Sequence, residues 1–176
     1  MNGTPFCAKD FRDGTVAVPS NSGIYKWWAP EECYLKILQK LNVVPNMIEN
    51  EVQKSTIEGI GFVCIYVGQA NDLKKRLGNH VKGCIDKSTL RKSLGAILWD
   101  GECSSEDLEN EINSFVNKLY VEYEEIESAE LDRAESSEIR AYLRVLNIDG
   151  FNHDSFMQYI DGPLSELRTD LKKIKE

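Results

Sequence analysis

The segment that most constrains the fold is "GIGFVCIYVG", residues 59–68. Phe62 through Val67 are apolar or aromatic at every position, so a strand built from them is apolar on both faces, as an interior strand of an α/β sheet is. The rest of the chain reads as elements for such a fold. Residues 22–28, "SGIYKWW", form a short strand after a loose arm containing Pro and Gly. Tyr34, Leu35, Leu38 and Leu41 recur at helical spacing, "VVPN" interrupts, and a second short segment follows from 47 to 57. Asn71 stands where it would cap a helix over 72–82, and "STLRKSLGAILW" makes the next helix, with Leu90, Leu94, Ile97 and Leu98 on one side. Ser104 or Ser105 opens a helix through Asn117, "LYVEYEEI" alternates as a third strand, 128–146 is a long helix, and "GPLSELRTDLKKIKE" a polar last one.

A chain of 176 residues, 41% of them hydrophobic, fits one domain. Its start has no signal-peptide pattern, and no run approaches the roughly 18 apolar residues of a membrane span, so the expectation is a cytoplasmic protein without a membrane partner. Five cysteines, an odd number with no CxxC pair, point to neither a disulfide framework nor a zinc cluster.

Charge is divided along the chain. Residues 69–99 carry seven cations against two carboxylates, a balance of +5; residues 100–138 carry fourteen carboxylates against two cations, a balance of -12. The acidic total of -8 disfavours indiscriminate binding to polyanions, yet a local basic patch still serves a phosphate chain.

Two helices carry polar residues out of pattern. In 128–146 the stripe of Leu131, Ile139, Tyr142 and Leu146 has Glu135 in its middle, with Glu138 near its edge. A carboxylate there implies a cation, a raised pKa or a cleft. Magnesium or manganese fits one carboxylate completed by waters, and a structural salt bridge is the competing reading. In the helix after "YVGQAND", Arg76 and His80 stand four apart along one margin, a guanidinium beside an imidazole aimed at the same point.

Taken in order, "GIY" at 23–25, "YVG" at 66–68, "LKKRLGNH" with Arg76 and His80, and "AESSEIRAYLRVLN" with Glu135 and Asn147 resemble the GIY-YIG nuclease family over about residues 22–155. The resemblance implies a small three-stranded, mostly antiparallel sheet flanked by helices, with Tyr25, Tyr66, Arg76 and Glu135 meeting over one face. It also implies metal-dependent hydrolysis of DNA phosphodiester bonds. Glu135 would hold Mg2+ or Mn2+, Arg76 neutralise the phosphate, and Tyr25 orient or deprotonate water beside Tyr66. His80 would serve as base or phosphate ligand, and Asn147, preferred to Asn152, complete the set. A member that binds DNA or a protein without cutting is the alternative. Tyr25 and Tyr66 stand 41 positions apart, so 29–60 is a helical insertion, a place for recognition or dimerisation; the tail 156–176 follows the core. The acidic face offers a second place for a protein partner. Lys74, Lys75, Lys82, Arg91 and Lys92 are the expected phosphate contacts; Trp27 or Trp28 could stack on an unpaired base, but buried tryptophans are the favoured reading.

Overall fold

A computed structural model describes residues 3–147 and 153–172. Five antiparallel strands make one sheet in the order β1-β5-β2-β4-β3. They are β1 (Phe6–Cys7), β2 (Gly23–Pro30), β3 (Lys54–Ile57), β4 (Ile60–Ala70) and β5 (Tyr120–Glu125). The expected sheet of three strands is thus extended at both edges. The N-terminal arm is not loose: Phe6 and Cys7 pair with Val121 and Tyr120, and α1 (Ala8–Asp13) follows. At the other edge the insertion, expected to be helical, is helical only in part. It holds α2 (Glu31–Lys40) and a 3-10 turn (Pro45–Met47), and then supplies β3. Glu58 and Gly59, both at positive φ (52° and 81°), close β3 onto β4 in a two-residue hairpin.

One face of the sheet is covered by α2, α3 (Leu73–Lys82), α4 (Thr89–Leu98) and α5 (Ser105–Val116), with α7 (Gly162–Leu171) packed on α4. This face holds the main core, including Trp27, Ile37, Ile65, Leu77 and Leu94. The opposite face buries Trp28, Phe62, Cys64 and Val67 beneath Ile139 of α6 (Leu131–Ala141). Both faces are covered, which explains why β4 is apolar or aromatic at every position from Phe62 to Val67. No described helix is long and apolar enough to cross a membrane.

Three of the described helices, α3, α4 and α5, start at side-chain caps. Asp72, rather than Asn71, caps α3 by accepting the Lys75 N–H at 2.8 Å; Ser88 caps α4 and Ser104 caps α5. The helix expected over 128–146 is shorter: a 3-10 turn precedes α6, which ends at Ala141, and Tyr142 is exposed. The chain beyond is drawn into β4. β4 outlasts β3, and its free edge is taken by Leu146, whose N–H donates to the Ile65 carbonyl at 3.0 Å, and by the Asn147 side chain. Backbone groups that would otherwise be buried without partners are satisfied in this way.

Candidate functional site

The site begins with the register between β2 and β4. Tyr25 lies opposite Gly68, Trp27 opposite Tyr66, and Trp28 opposite Cys64, so Ile65 is an extra residue, a β-bulge. Simple alternation from Val63 would send Tyr66 to the face opposite Tyr25. The bulge brings it back, and the two rings stack with centroids 6.4 Å apart at 25°. Gly68 makes room rather than a turn, since β4 runs on past it to Ala70 and the Tyr25 ring lies against it.

Helix α3 supplies the polar groups over these rings. Arg76 Nε donates to the Tyr25 hydroxyl at 3.1 Å, and His80 Nε2 stands 2.9 Å from the same oxygen. On its other side His80 Nδ1 is 2.6 Å from Ser88 Oγ, which already accepts the Arg91 N–H at 3.0 Å. Tyr25, Tyr66 and Trp27 surround the imidazole, with ring centroids 5.3, 5.9 and 5.6 Å away. A line of four groups, Arg76–Tyr25–His80–Ser88, therefore runs from the half-buried guanidinium into the core.

Burial sets the protonation states. Tyr25 is 0% exposed, and its phenol is pushed far up, by desolvation first and by Tyr66 and Glu135, against the opposing pull of Arg76. The Tyr66 phenol is likewise raised by burial, with Arg76 and a hydrogen bond involving Thr89 acting the other way and Glu135 adding to the rise. His80 is held well below its ordinary value by burial, then by the Arg76 and Arg91 charges, so it is a neutral imidazole. Burial opposes the Arg76 charge, but the two phenols outweigh it and its pKa is raised.

Glu135 comes from α6, half-buried, and its charge reaches both phenols. Glu138, one turn on, is engaged in a buried ion pair: Lys26 Nζ lies 2.8 Å and Arg144 Nη2 3.3 Å from Glu138 Oε2. Gln53 Oε1 accepts from both cations, at 3.3 and 2.8 Å. This network fastens α6 to the sheet one turn from Glu135. Among the described residues no group of three or more His, Cys, Asp or Glu gathers into a metal cage.

Several expected residues are placed differently. Asn147 is buried and holds β4: its Oδ1 accepts the Val67 N–H at 3.0 Å and its Nδ2 donates to the Val67 carbonyl at 2.9 Å, next to Tyr66. Asn152 lies outside the described residues. Arg91 is not a groove contact: it is 1% exposed and donates to the His80 carbonyl, Glu109 and Asn113, tying α3, α4 and α5 together. Lys74, Lys75, Lys82 and Lys92 are exposed on α3 and α4. Trp27 and Trp28 are buried, in keeping with the favoured reading, and neither offers a face to a base.

Two site residues escaped the sequence reading. Ser88 shows the signal of an N-cap, but its bond to His80 depends on α3 and α4 meeting. Arg168 of α7 gave no signal; it donates to Ser93 Oγ at 2.5 Å and to the Leu146 carbonyl at 3.4 Å, and burial lowers its pKa, against smaller opposing contributions from Tyr66 and Asp161. No curated protein and no solved structure matches the chain. The model of the GIY-YIG catalytic domain matches residues 23–170, which takes in both tyrosines, the Arg76–His80 helix, Glu135 and α7, and the chain belongs to that family, whose members are generally nucleases.

Proposed function

We propose that the protein is a divalent-metal-dependent endonuclease that hydrolyses phosphodiester bonds in DNA. The observation that carries this reading is the hydrogen-bonded line Arg76–Tyr25–His80–Ser88, with Tyr66 stacked on Tyr25 and the Glu135 charge within reach of both phenols. Glu135 fits Mg2+ or Mn2+, ions that keep several waters and need only one or two carboxylates. The ion supplies charge relief on the phosphate and on the departing oxygen.

The chain's own groups divide the remaining work. The Arg76 guanidinium faces the non-bridging oxygens, where its fork suits a phosphate and the charge it meets grows in the transition state. Ser88 Oγ accepts the Arg91 N–H on one lone pair and takes His80 Nδ1–H on the other, which leaves Nε2 as an acceptor facing the Tyr25 O–H. Tyr25 then orients the attacking water and passes its own proton to His80 as it receives one from the water. Because Tyr25 has no exposed surface, water reaches its oxygen only when Arg76 turns outward onto a phosphate. His80, fully buried, takes part as a proton acceptor and touches no phosphate. Exposed Lys74, Lys75, Lys82 and Lys92 track the flanking strand.

The buried Tyr25 favours one competing reading, a module that binds DNA without cutting it. Incubation with supercoiled, linear, branched and single-stranded DNA, each with magnesium, manganese or chelator, separates the two. Nicking that a chelator stops supports the nuclease. Saturable binding with no cleavage of any form supports the non-cutting module.

A further inference from the structure

The insertion builds a surface that the Tyr25 cluster does not use. Strand β3 ends the sheet, and no described strand lies outside it. Ile57 and Ile60 close the two-residue turn as a bonded pair, and the Cys64 N–H donates to the Gln53 carbonyl at 2.9 Å. Alternation between these points turns the N–H and C=O of Lys54 and Thr56 away from β4 and toward solvent. An open edge of this kind is a template for another strand.

Beside that edge lies a cavity of about 450 Å³, walled by Tyr34 and Leu35 of α2, Pro45 of the 3-10 turn, Glu49 and β3 itself. Tyr34 is 5% exposed, and its hydroxyl is buried and hydrogen-bonds to nothing among the described residues. A buried hydroxyl without a partner is costly, and a docked segment that opened the wall to it would supply the missing donor. Large apolar side chains are exposed here: Leu35 lines the cavity, Ile60 lines the adjoining depression, and Val44 and Met47 flank Pro45 in the chain, all 42% exposed or more.

Charge selects the occupant. Glu31, Glu32, Glu49 and Glu58 border this cavity and the adjoining depression, against Lys54 and Lys118. The lysines pair with two of these carboxylates, Lys54 with Glu49 at 2.8 Å and Lys118 with Glu32 at 3.5 Å, which leaves Glu31 and Glu58 in excess over the cations. A second copy added edge to edge would set the same carboxylates against each other. A basic segment meets them with opposite charge. We infer that the β3 edge and its cavity dock an extended segment of another protein with alternating basic and apolar residues, added as a sixth strand with a cationic side chain near Tyr34 and Glu49. The inference does not depend on the nuclease reading.

The probe is a fluorescein-labelled octapeptide of alternating Arg or Lys and Val, titrated by anisotropy into the full chain. Saturable binding is expected, at least about tenfold weaker when Glu replaces every basic residue. Thr56→Pro deletes one outward donor while sparing the β3–β4 ladder, and should weaken binding roughly three- to tenfold. Should Thr56→Pro fail to fold, a peptide with proline at its centre reads the same loss from the other side. Tyr34→Phe should weaken binding roughly threefold without lowering the thermal midpoint, because it removes a group that is unsatisfied in the free protein. Absence of binding, equal binding of the proline-bearing peptide, or a dimer of the free chain that Thr56→Pro dissociates would each overturn the inference.

Discussion

The Tyr25 phenol fills the place where a side chain on Gly68 would stand: a Cβ built there lies 2.4 Å from the Tyr25 oxygen and 2.6 Å from its Cζ. Ordinary carbon–oxygen contacts are about an ångström longer. The direction of the central tyrosine is thus set by an absent side chain on the neighbouring strand, not by a turn.

Gly68→Ala should accordingly displace Tyr25 and cost about 1–3 kcal/mol of stability, with cleavage lost along with the Arg76 and His80 contacts. A double-mutant cycle checks the cause. In a Tyr25→Ala background the clash no longer exists, and the Gly68→Ala penalty should fall to a few tenths of a kcal/mol. A penalty of the same size in both backgrounds would place its origin elsewhere in β4.

The two glutamates of α6 should separate cleanly. Glu138→Ala leaves Lys26 and Arg144 buried without their carboxylate, a change of the kind that costs about 3–5 kcal/mol, and denaturant titration should show it. Glu135→Ala should leave a folded protein, seen in an unchanged circular dichroism spectrum, that no longer cuts DNA in magnesium. A folded Glu135→Ala protein that cuts at the wild-type rate would remove Glu135 from the proposed metal site.

His80 predicts a pH dependence of stability. Its folded pKa is depressed while the unfolded chain keeps the ordinary histidine value near 6.5, so the unfolded state binds the extra proton as pH falls. Stability from this group is fully present above about pH 6.5 and is lost below it, with a slope approaching about 1.4 kcal/mol per pH unit. Urea titrations between pH 5 and 8 should show this decline in the wild type and a flatter one in His80→Gln. His153 is present in both proteins, so the difference in slope belongs to His80.

Much of this was legible in the sequence, and the exceptions have physical causes. Arg76, His80 and Glu135 stood out because each breaks a local pattern, which is what a sequence displays, whereas Tyr25 and Tyr66 fit their strands and stood out only through the resemblance of "GIY" and "YVG" to the family motifs. Glu135 and Glu138 were both visible as misplaced carboxylates. That Glu138 is held by Lys26 and Arg144 was not, because Lys26 comes from a strand far away in the chain and Arg144, six residues on, reaches back only because α6 ends at Ala141. The early end of α6 was hidden for a related reason: residues 142–147 continue the helical pattern, but the unpaired edge of β4 offers them backbone partners. Arg91 looked like a surface cation until Glu109 and Asn113 of α5 folded over it. The edge strands were missed because two residues at one end and "KSTI" at the other carry too little periodicity to register.

The charge split gives the remaining prediction, and the position of Arg91 sharpens it. If the exposed lysines of α3 and α4 are the DNA-binding surface, Lys74→Ala, Lys75→Ala and Lys92→Ala together should weaken binding on every sequence alike. They should also flatten the plot of log affinity against log salt by up to about three phosphate contacts, each worth about 0.9 in slope on duplex DNA. Arg91 has no place in that set, because replacing it leaves Glu109 half-buried without its cation and unfastens α3 from α5. The control is neutralisation of Glu122, Glu124 and Glu125 on β5 to glutamine, which keeps an acceptor for the Trp28 N–H and lowers the repulsion of a polyanion. Binding to that variant should be unchanged or tighter. Anisotropy titrations in a Glu135→Ala background at several salt concentrations measure both slopes. An unaltered slope in the lysine variant would reduce the basic stretch to a solvated helix face. Failure of every variant to bind DNA at any salt would move the chain's function to protein recognition.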